Sequence, residues 1–238
     1  MPAKLLNSTP SINDHDAPGY LGPALIVLIF ALGILLRIIA CQNTYIINPD
    51  GIYYIQQAKA IYYGQWQHLT SCLSFISIYS FLISITYPLF HDWIIAGKFV
   101  SLFFGSITLI PFYYLCRHFF KRDVSGLIFL IFAVLPVLVS WSAGVLRDPV
   151  AWFFLTLGLY FFIAWDHKHE RLSALLACIS FILATWGRIE GSLFIIVTFI
   201  YLLAISRREG FKRLTFFSLP IFIFLCLVFL GSALLDKP

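Results

Sequence analysis

Seven long apolar runs divide the chain, at residues 20–40, 94–115, 124–141, 149–165, 172–187, 191–206 and 214–235. Each reaches or approaches the roughly 20 residues that a helix needs to cross a hydrocarbon core of about 30 Å. The pattern therefore predicts about seven transmembrane helices. An eighth apolar stretch, 73–90, holds four serines and a threonine and contains Pro88. Those hydroxyls predict an interfacial or re-entrant helix in place of a span. Between the first two runs, residues 48–66 read NPDGIYYIQQAKAIYYGQW. Ile52, Ile55, Ala58 and Ile61 or Tyr62 recur there at helical spacing, with Gln56, Gln57 and Lys59 on another face. This predicts an amphipathic surface helix, entered through a turn at Pro49 and stopped at Gly64. No internal repeat, Gly/Ser linker or low-complexity tract appears. The fold class expected is an all-α integral membrane protein, with a polar tail at 1–19 and one module at 20–235 whose outer loop spans 41–93.

Composition agrees with the pattern. Hydrophobic residues make up 61% of the chain and charged residues only 11%, against about 25% charged in soluble domains. The net charge of +5 does not gather on a polar domain as nucleic-acid binding would require. The cations instead punctuate the apolar runs. Arg117, Lys121, Arg122, Lys168, Arg171, Arg207, Arg208, Lys212 and Arg213, nine of the sixteen, fall after the second, fourth and sixth runs. The positive-inside rule makes that side cytoplasmic. The N-terminus joins it, and residues 41–93, 142–148 and 187–191 face the periplasm or a lumen. No basic n-region adjoins the first apolar run, which argues against a cleaved signal peptide. Cys41 and Cys72 share the outer loop, where they either pair or remain apolar thiols.

Charge beside a membrane is costly, so the outward-facing charges are the candidates for function. Asp50 follows Pro49 at the start of the surface helix, where it is either a helix cap or a working carboxylate. Arg147-Asp148-Pro149 precedes the fourth run, either as a surface ion pair with a helix start or as a functional cation and acid. Trp186-Gly187-Arg188-Ile189-Glu190-Gly191 joins two apolar stretches of about 16 residues, or about 24 Å of helix. That connection is drawn below the outer surface, and its Arg and Glu must neutralise each other or meet a ligand. Arginine suits phosphate oxygens in particular. His68, His91 and Asp92 lie too far apart for a recognisable metal motif. The polar run 166–171 reads as a solvated cytoplasmic turn. No Ser-His-Asp grouping, Cys-His pair or phosphate-cradling glycine loop is present.

A Pro-Asp turn followed by a Tyr-rich helix ending Tyr-Gly, directly after a span ending Leu-Leu-Arg, resembles the GT-C superfamily. These are multi-spanning glycosyltransferases that use lipid-linked sugars, including protein O-mannosyltransferases and lipid A aminoarabinose transferases. Leu146-Arg147-Asp148-Pro149 and Arg188-Ile189-Glu190-Gly191 resemble two further landmarks, and the similarity covers about residues 20–206. It implies transfer of a sugar from a polyprenyl-phosphate donor at the outer membrane face by inverting displacement. Asp50 would be the base. Arg188, with Arg147 or Lys59, would hold the phosphate. Asp148 and Glu190 would orient those cations or bind acceptor hydroxyls, and Tyr53, Tyr54 and Trp66 would line a sugar site. The acceptor, whether glycan, lipid or protein, is not specified by these residues. No cofactor is implied. Some members use a divalent cation, but their second acidic residue is replaced here by Gly51. Members also continue for several more spans, whereas this chain stops at Leu234-Leu235-Asp236-Lys237-Pro238. It is expected to be a compact variant, a fragment or an inactive remnant. The alternative is a non-catalytic membrane protein: an assembly partner of a longer glycosyltransferase, or a transporter or flippase, although a transporter should show charges near mid-membrane and repeated halves.

Overall fold

The computed structural model describes residues 22–45, 47–69, 73, 75–168, 171–205, 217–218 and 221. The described part is helical: α1 Pro23–Asn43, α2 Pro49–Tyr62, α3 Ile78–Phe90, α4 Trp93–Ile107, α5 Leu109–Phe119, α6 Arg122–Val134, α7 Pro136–Ala143, α8 Asp148–Lys168, α9 Arg171–Gly187 and α10 Ser192–Ile205. Three stretches are long and apolar enough to cross a membrane: α1, Trp93–Phe119 (α4 running into α5) and Asp148–Asp166 of α8. Helices α6 and α7 together are long and apolar enough for a fourth, but they are bent by 47°, as in a broken span or a re-entrant loop. Pro136 causes the bend, because its ring removes a helical N–H and crowds the preceding turn. Arg37, buried on α1, stitches the bend in place: its guanidinium donates to the Ala133 carbonyl at 2.9 Å and to that of Gly33 at 2.9 Å.

The expected fifth and sixth spans are the apolar helices α9, of 17 residues, and α10, of 14. Both are shorter than the roughly 20 residues of an upright span. The expected seventh, 214–235, lies almost wholly outside the described residues, as do the tail 1–19, Cys72 and the cations at 207–213. Cys41 is a free thiol. Helix α3 has 13 residues, about 20 Å of rise, and is too short to span.

Helix α2 forms where the spacing predicts it but presents a different face. It buries Tyr54, Ile55, Gln57 and Ala58, while Ile52 is 48% exposed. The close approach of Gly51 sets this rotation. A Cβ on Gly51 would lie 2.9 Å from the Val145 carbonyl oxygen and 3.0 Å from the Val145 Cβ. The helix ends as expected at Gly64, whose φ of 67° is a left-handed conformation that glycine adopts without strain. The Gln65 N–H then donates to the Ala60 carbonyl at 2.8 Å. Beneath α2, one apolar cluster joins Tyr54, Ile55 and Ala58 to Tyr79 and Ile83 of α3, Ala96 and Val100 of α4, Val145, and Val150 of α8. A second packs Trp165, Phe181 and Leu202 between α8, α9 and α10. A third joins Ile29, Leu109, Phe129 and Ala133.

Candidate functional site

The segments after α1, after α7 and after α9 meet at one end of the bundle. Three contacts tie them to each other or to neighbouring elements. The Trp186 indole N–H donates to the Ile76 carbonyl at 2.6 Å, the Lys98 ammonium donates to the Thr44 carbonyl, and Arg188 reaches Asp148.

Arg147 and Asp148 are neighbours in sequence but do not pair with each other. Asp148, nearly buried in the first turn of α8, forms its ion pair with Arg188, 40 residues later. Arg188 also engages Glu190 through two donors, Nη2 to Oε1 at 3.0 Å and Nε to Oε2 at 3.3 Å. The hydrogen bond from Arg188 holds the Glu190 carboxyl below the usual carboxylate range. A guanidinium has five N–H donors; these bonds occupy three. The turn therefore neutralises itself, and two Arg188 donors have no partner among the described residues.

Arg147 rests on aromatic faces. Its guanidinium carbon lies 5.8 Å from the Tyr54 ring centre and 5.3 Å from that of Phe75. No carboxylate lies within ion-pair distance of it among the described residues. Its backbone is fixed from below. The Tyr79 hydroxyl donates to the Gly97 carbonyl at 2.9 Å and shares a hydrogen bond with Ser101 at 2.8 Å. The Ser101 hydroxyl in turn contacts both the carbonyl and the N–H of Leu146.

Asp50 is not the cap of α2. Asn48 is, its side-chain oxygen accepting the Asp50 N–H at 3.3 Å. The Asp50 carboxylate is exposed and makes no hydrogen bond or ion pair among the described residues. It shares an electrostatic neighbourhood with the two arginines: burial pushes the Tyr54 phenol up, Arg147 pulls it down, Asp50 pushes it up and Arg188 pulls it down. Tyr54 is buried, its edge against Tyr79 at 5.4 Å between ring centres. Tyr53 and Trp66 are exposed. Lys59 lies near the other end of α2, 5.9 Å from the centre of the Trp93 ring, which itself packs with Tyr62, Tyr63 and Tyr87. Nine residues of helix, about 14 Å, separate it from Asp50, and no contact brings it to Arg147 or Arg188.

A cavity of about 230 Å³ opens beside the ionic cluster. Trp152 and Leu155 of α8, Ala184 of α9 and Phe194 of α10 form its apolar walls, and Arg188 and Glu190 stand among its lining residues. The arrangement suits an amphipathic ligand with an anionic head and a hydrocarbon body.

Residues 77–231 match the family model of the dolichyl-phosphate-mannose-protein mannosyltransferases, well over half of the 238 residues. The chain belongs to that family. This mannosyltransferase-family protein is thus an integral membrane glycosyltransferase module of the GT-C type. No curated protein and no solved structure matches it. The matched stretch includes the 144–148 and 188–191 turns and begins after the Asp50 turn.

Sequence reasoning missed Phe75 and Gln57. Phe75 looked like one apolar residue among many. Gln57 looked like part of the exposed face with Gln56 and Lys59, although it stands three residues after Tyr54 and so shares its helix face.

Proposed function

We propose that this family member transfers a sugar from a polyprenyl-phosphate-linked donor, such as the dolichyl-phosphate mannose of the family's description, to an acceptor hydroxyl at the outer membrane face. The observation that carries this reading is the guanidinium cluster beside an apolar cavity. The Arg188 guanidinium offers its remaining N–H donors to a phosphate, while Trp152, Leu155 and Phe194 offer hydrocarbon to the first isoprene units. Arg147, with no acidic partner to displace, adds a second cation.

The acceptor oxygen attacks the anomeric carbon as the carbon–oxygen bond to phosphate breaks, inverting the configuration. Asp50 takes the acceptor proton, and Arg147 and Arg188 stabilise the charge arriving on the leaving phosphate. Asp148 and Glu190 keep Arg188 aimed at that position. Tyr53 and Trp66, both exposed, serve as sugar-facing aromatics, and Lys59 acts at longer range or not at all. Such a displacement needs no cofactor.

The test is binding of a short-chain polyprenyl phosphate to wild type, Arg147→Ala and Arg188→Ala in detergent. Hydrogen bonds to charged groups contribute about 1.5–3 kcal/mol, so each variant should bind about ten- to a hundredfold more weakly. Folded variants with undiminished affinity would remove these arginines from the donor site.

A further inference from the structure

Gln57 is a polar side chain in an apolar setting. It is 2% exposed, on the face of α2 that also carries Tyr54 and Ala58. Its amide nitrogen donates to the Leu69 carbonyl at 2.9 Å and to the Phe75 carbonyl at 2.8 Å. Its oxygen accepts the Ser77 N–H at 2.8 Å. One side chain thus satisfies three backbone groups in the stretch between α2 and α3. Only a neutral amide of this length supplies two donors and an acceptor together. An apolar replacement would strand all three groups, and an ionised Glu would face two carbonyl oxygens.

The residues so tied are those that hold Arg147. Tyr54 sits one turn before Gln57 on α2, and Phe75 is a direct Gln57 partner. Their ring centres lie 5.8 Å and 5.3 Å from the Arg147 guanidinium carbon. The two rings belong to different segments, and Gln57 hydrogen-bonds directly across from one to the other. We propose that Gln57 is a positioning residue for Arg147: it sets the distance between the Tyr54 and Phe75 rings and so the orientation of the guanidinium. Its consequence for donor binding rests on the function proposed above; the mechanical link to Arg147 does not.

Two measurements separate these parts. The first is the rate at which an arginine-selective dicarbonyl modifies Arg147, followed by mass spectrometry, with Arg117 at the far end of the bundle as internal control. It is made on wild type, Gln57→Glu, Gln57→Met and Phe75→Leu. Loss of a cation–π contact at a partly exposed site changes such an equilibrium by about threefold, so Arg147 should react about threefold faster in every variant and Arg117 at the wild-type rate. Phe75→Leu leaves the Gln57 bonds intact and removes only the ring through which Gln57 acts, so it remains informative if a Gln57 variant does not fold. An unchanged Arg147 rate in folded Gln57 variants, or in Phe75→Leu, overturns the proposal. The second measurement is affinity for the short-chain polyprenyl phosphate, which should weaken by a similar factor in those Gln57 variants that fold, although their melting transitions fall with the loss of the three backbone bonds. Wild type that does not bind this probe would end the donor reading while the arginine reactivity still decides the role of Gln57.

Discussion

Gly51 stands where the resemblance to GT-C enzymes led us to expect a second acid, and the structure gives that glycine a steric reason. A Cβ there would lie 2.9 Å from the Val145 carbonyl oxygen, 2.9 Å from the Ile47 Cγ2 and 3.0 Å from the Val145 Cβ. The carbonyl is backbone and cannot rotate aside, so Gly51→Ala must push α2 away from the segment that carries Arg147. Overpacking of this kind costs about 1–3 kcal/mol. Replacing a helical glycine with alanine returns at most about 1 kcal/mol of helix propensity, so the steric term wins and the variant should be less stable by about 1 kcal/mol. Gly51→Asp adds a carboxylate pressed toward a carbonyl oxygen, at about 1–3 kcal/mol more for an unsatisfied buried group. The two propensities of Asp to sit near a helix N-terminus, charge and capping, are each smaller than that. Thermal unfolding in detergent should therefore rank wild type above Gly51→Ala above Gly51→Asp. Gly144→Ala is the control in a neighbouring position, because its Cβ would meet only the Leu146 side chain at an ordinary 3.5 Å. A Gly51→Ala protein as stable as wild type would refute the close approach and, with it, the geometric account of the missing acid.

Removing the Tyr79 hydroxyl in Tyr79→Phe withdraws one partner each from Gly97 and Ser101, and the melting transition should fall by the equivalent of about 1–3 kcal/mol; an unchanged transition would mean the buried network does not support the Leu146 backbone. The Glu190 carboxyl is held below its ordinary value by Arg188, so the pair's contribution is fully present above the ordinary glutamate range near 4.5 and is lost as pH falls through the lowered value. Thermal stability should accordingly keep this contribution at neutral pH and lose it only as pH falls through the lowered Glu190 value, a loss that Glu190→Gln should abolish. For the sidedness, introduced cysteines at the exposed positions Lys59 and Phe119, which lie at opposite ends of the bundle, should label from opposite faces of sealed vesicles; labelling of both from one face would end the proposed topology.

What the sequence made legible was the placement of charges along the chain. Pro49, Gly64 and the short apolar runs flanking 188–191 mark local backbone chemistry, and each coincides with a helix end in the structure. Their grouping at one end of the bundle followed from counting helices between them. Partner choice was not legible, because it depends on how helices pack. Arg188 finds Asp148 across 40 residues, and Arg147 turns away from its sequence neighbour onto Tyr54 and Phe75. The rotation of α2 was missed for a related reason: the Ile52, Ile55, Ala58 stripe looked apolar enough to be the buried face, but contact of Gly51 with Val145 outweighs one isoleucine. The run 124–141 read as one span; the bend at Pro136 between α6 and α7 was missed because continuous hydrophobicity masks a break in the helix. Arg37 ended a span in the sequence pattern; in the structure it is buried and bonded to the bend.

The central claim is that Asp50 acts as a base, and Asp50→Asn tests it most directly. Asn48 already caps α2 and the Asp50 carboxylate is exposed, so the substitution forfeits only a helix-dipole contribution of about 0.3–1 kcal/mol. The amide cannot accept a proton at neutral pH, and general-base assistance is worth about 10²–10⁴ in rate. Sugar transfer from a polyprenyl-phosphate donor in membranes, measured beside thermal stability for both proteins, should fall by that factor with the melting transition nearly unchanged. Transfer at the wild-type rate by a folded Asp50→Asn protein would contradict the mechanism.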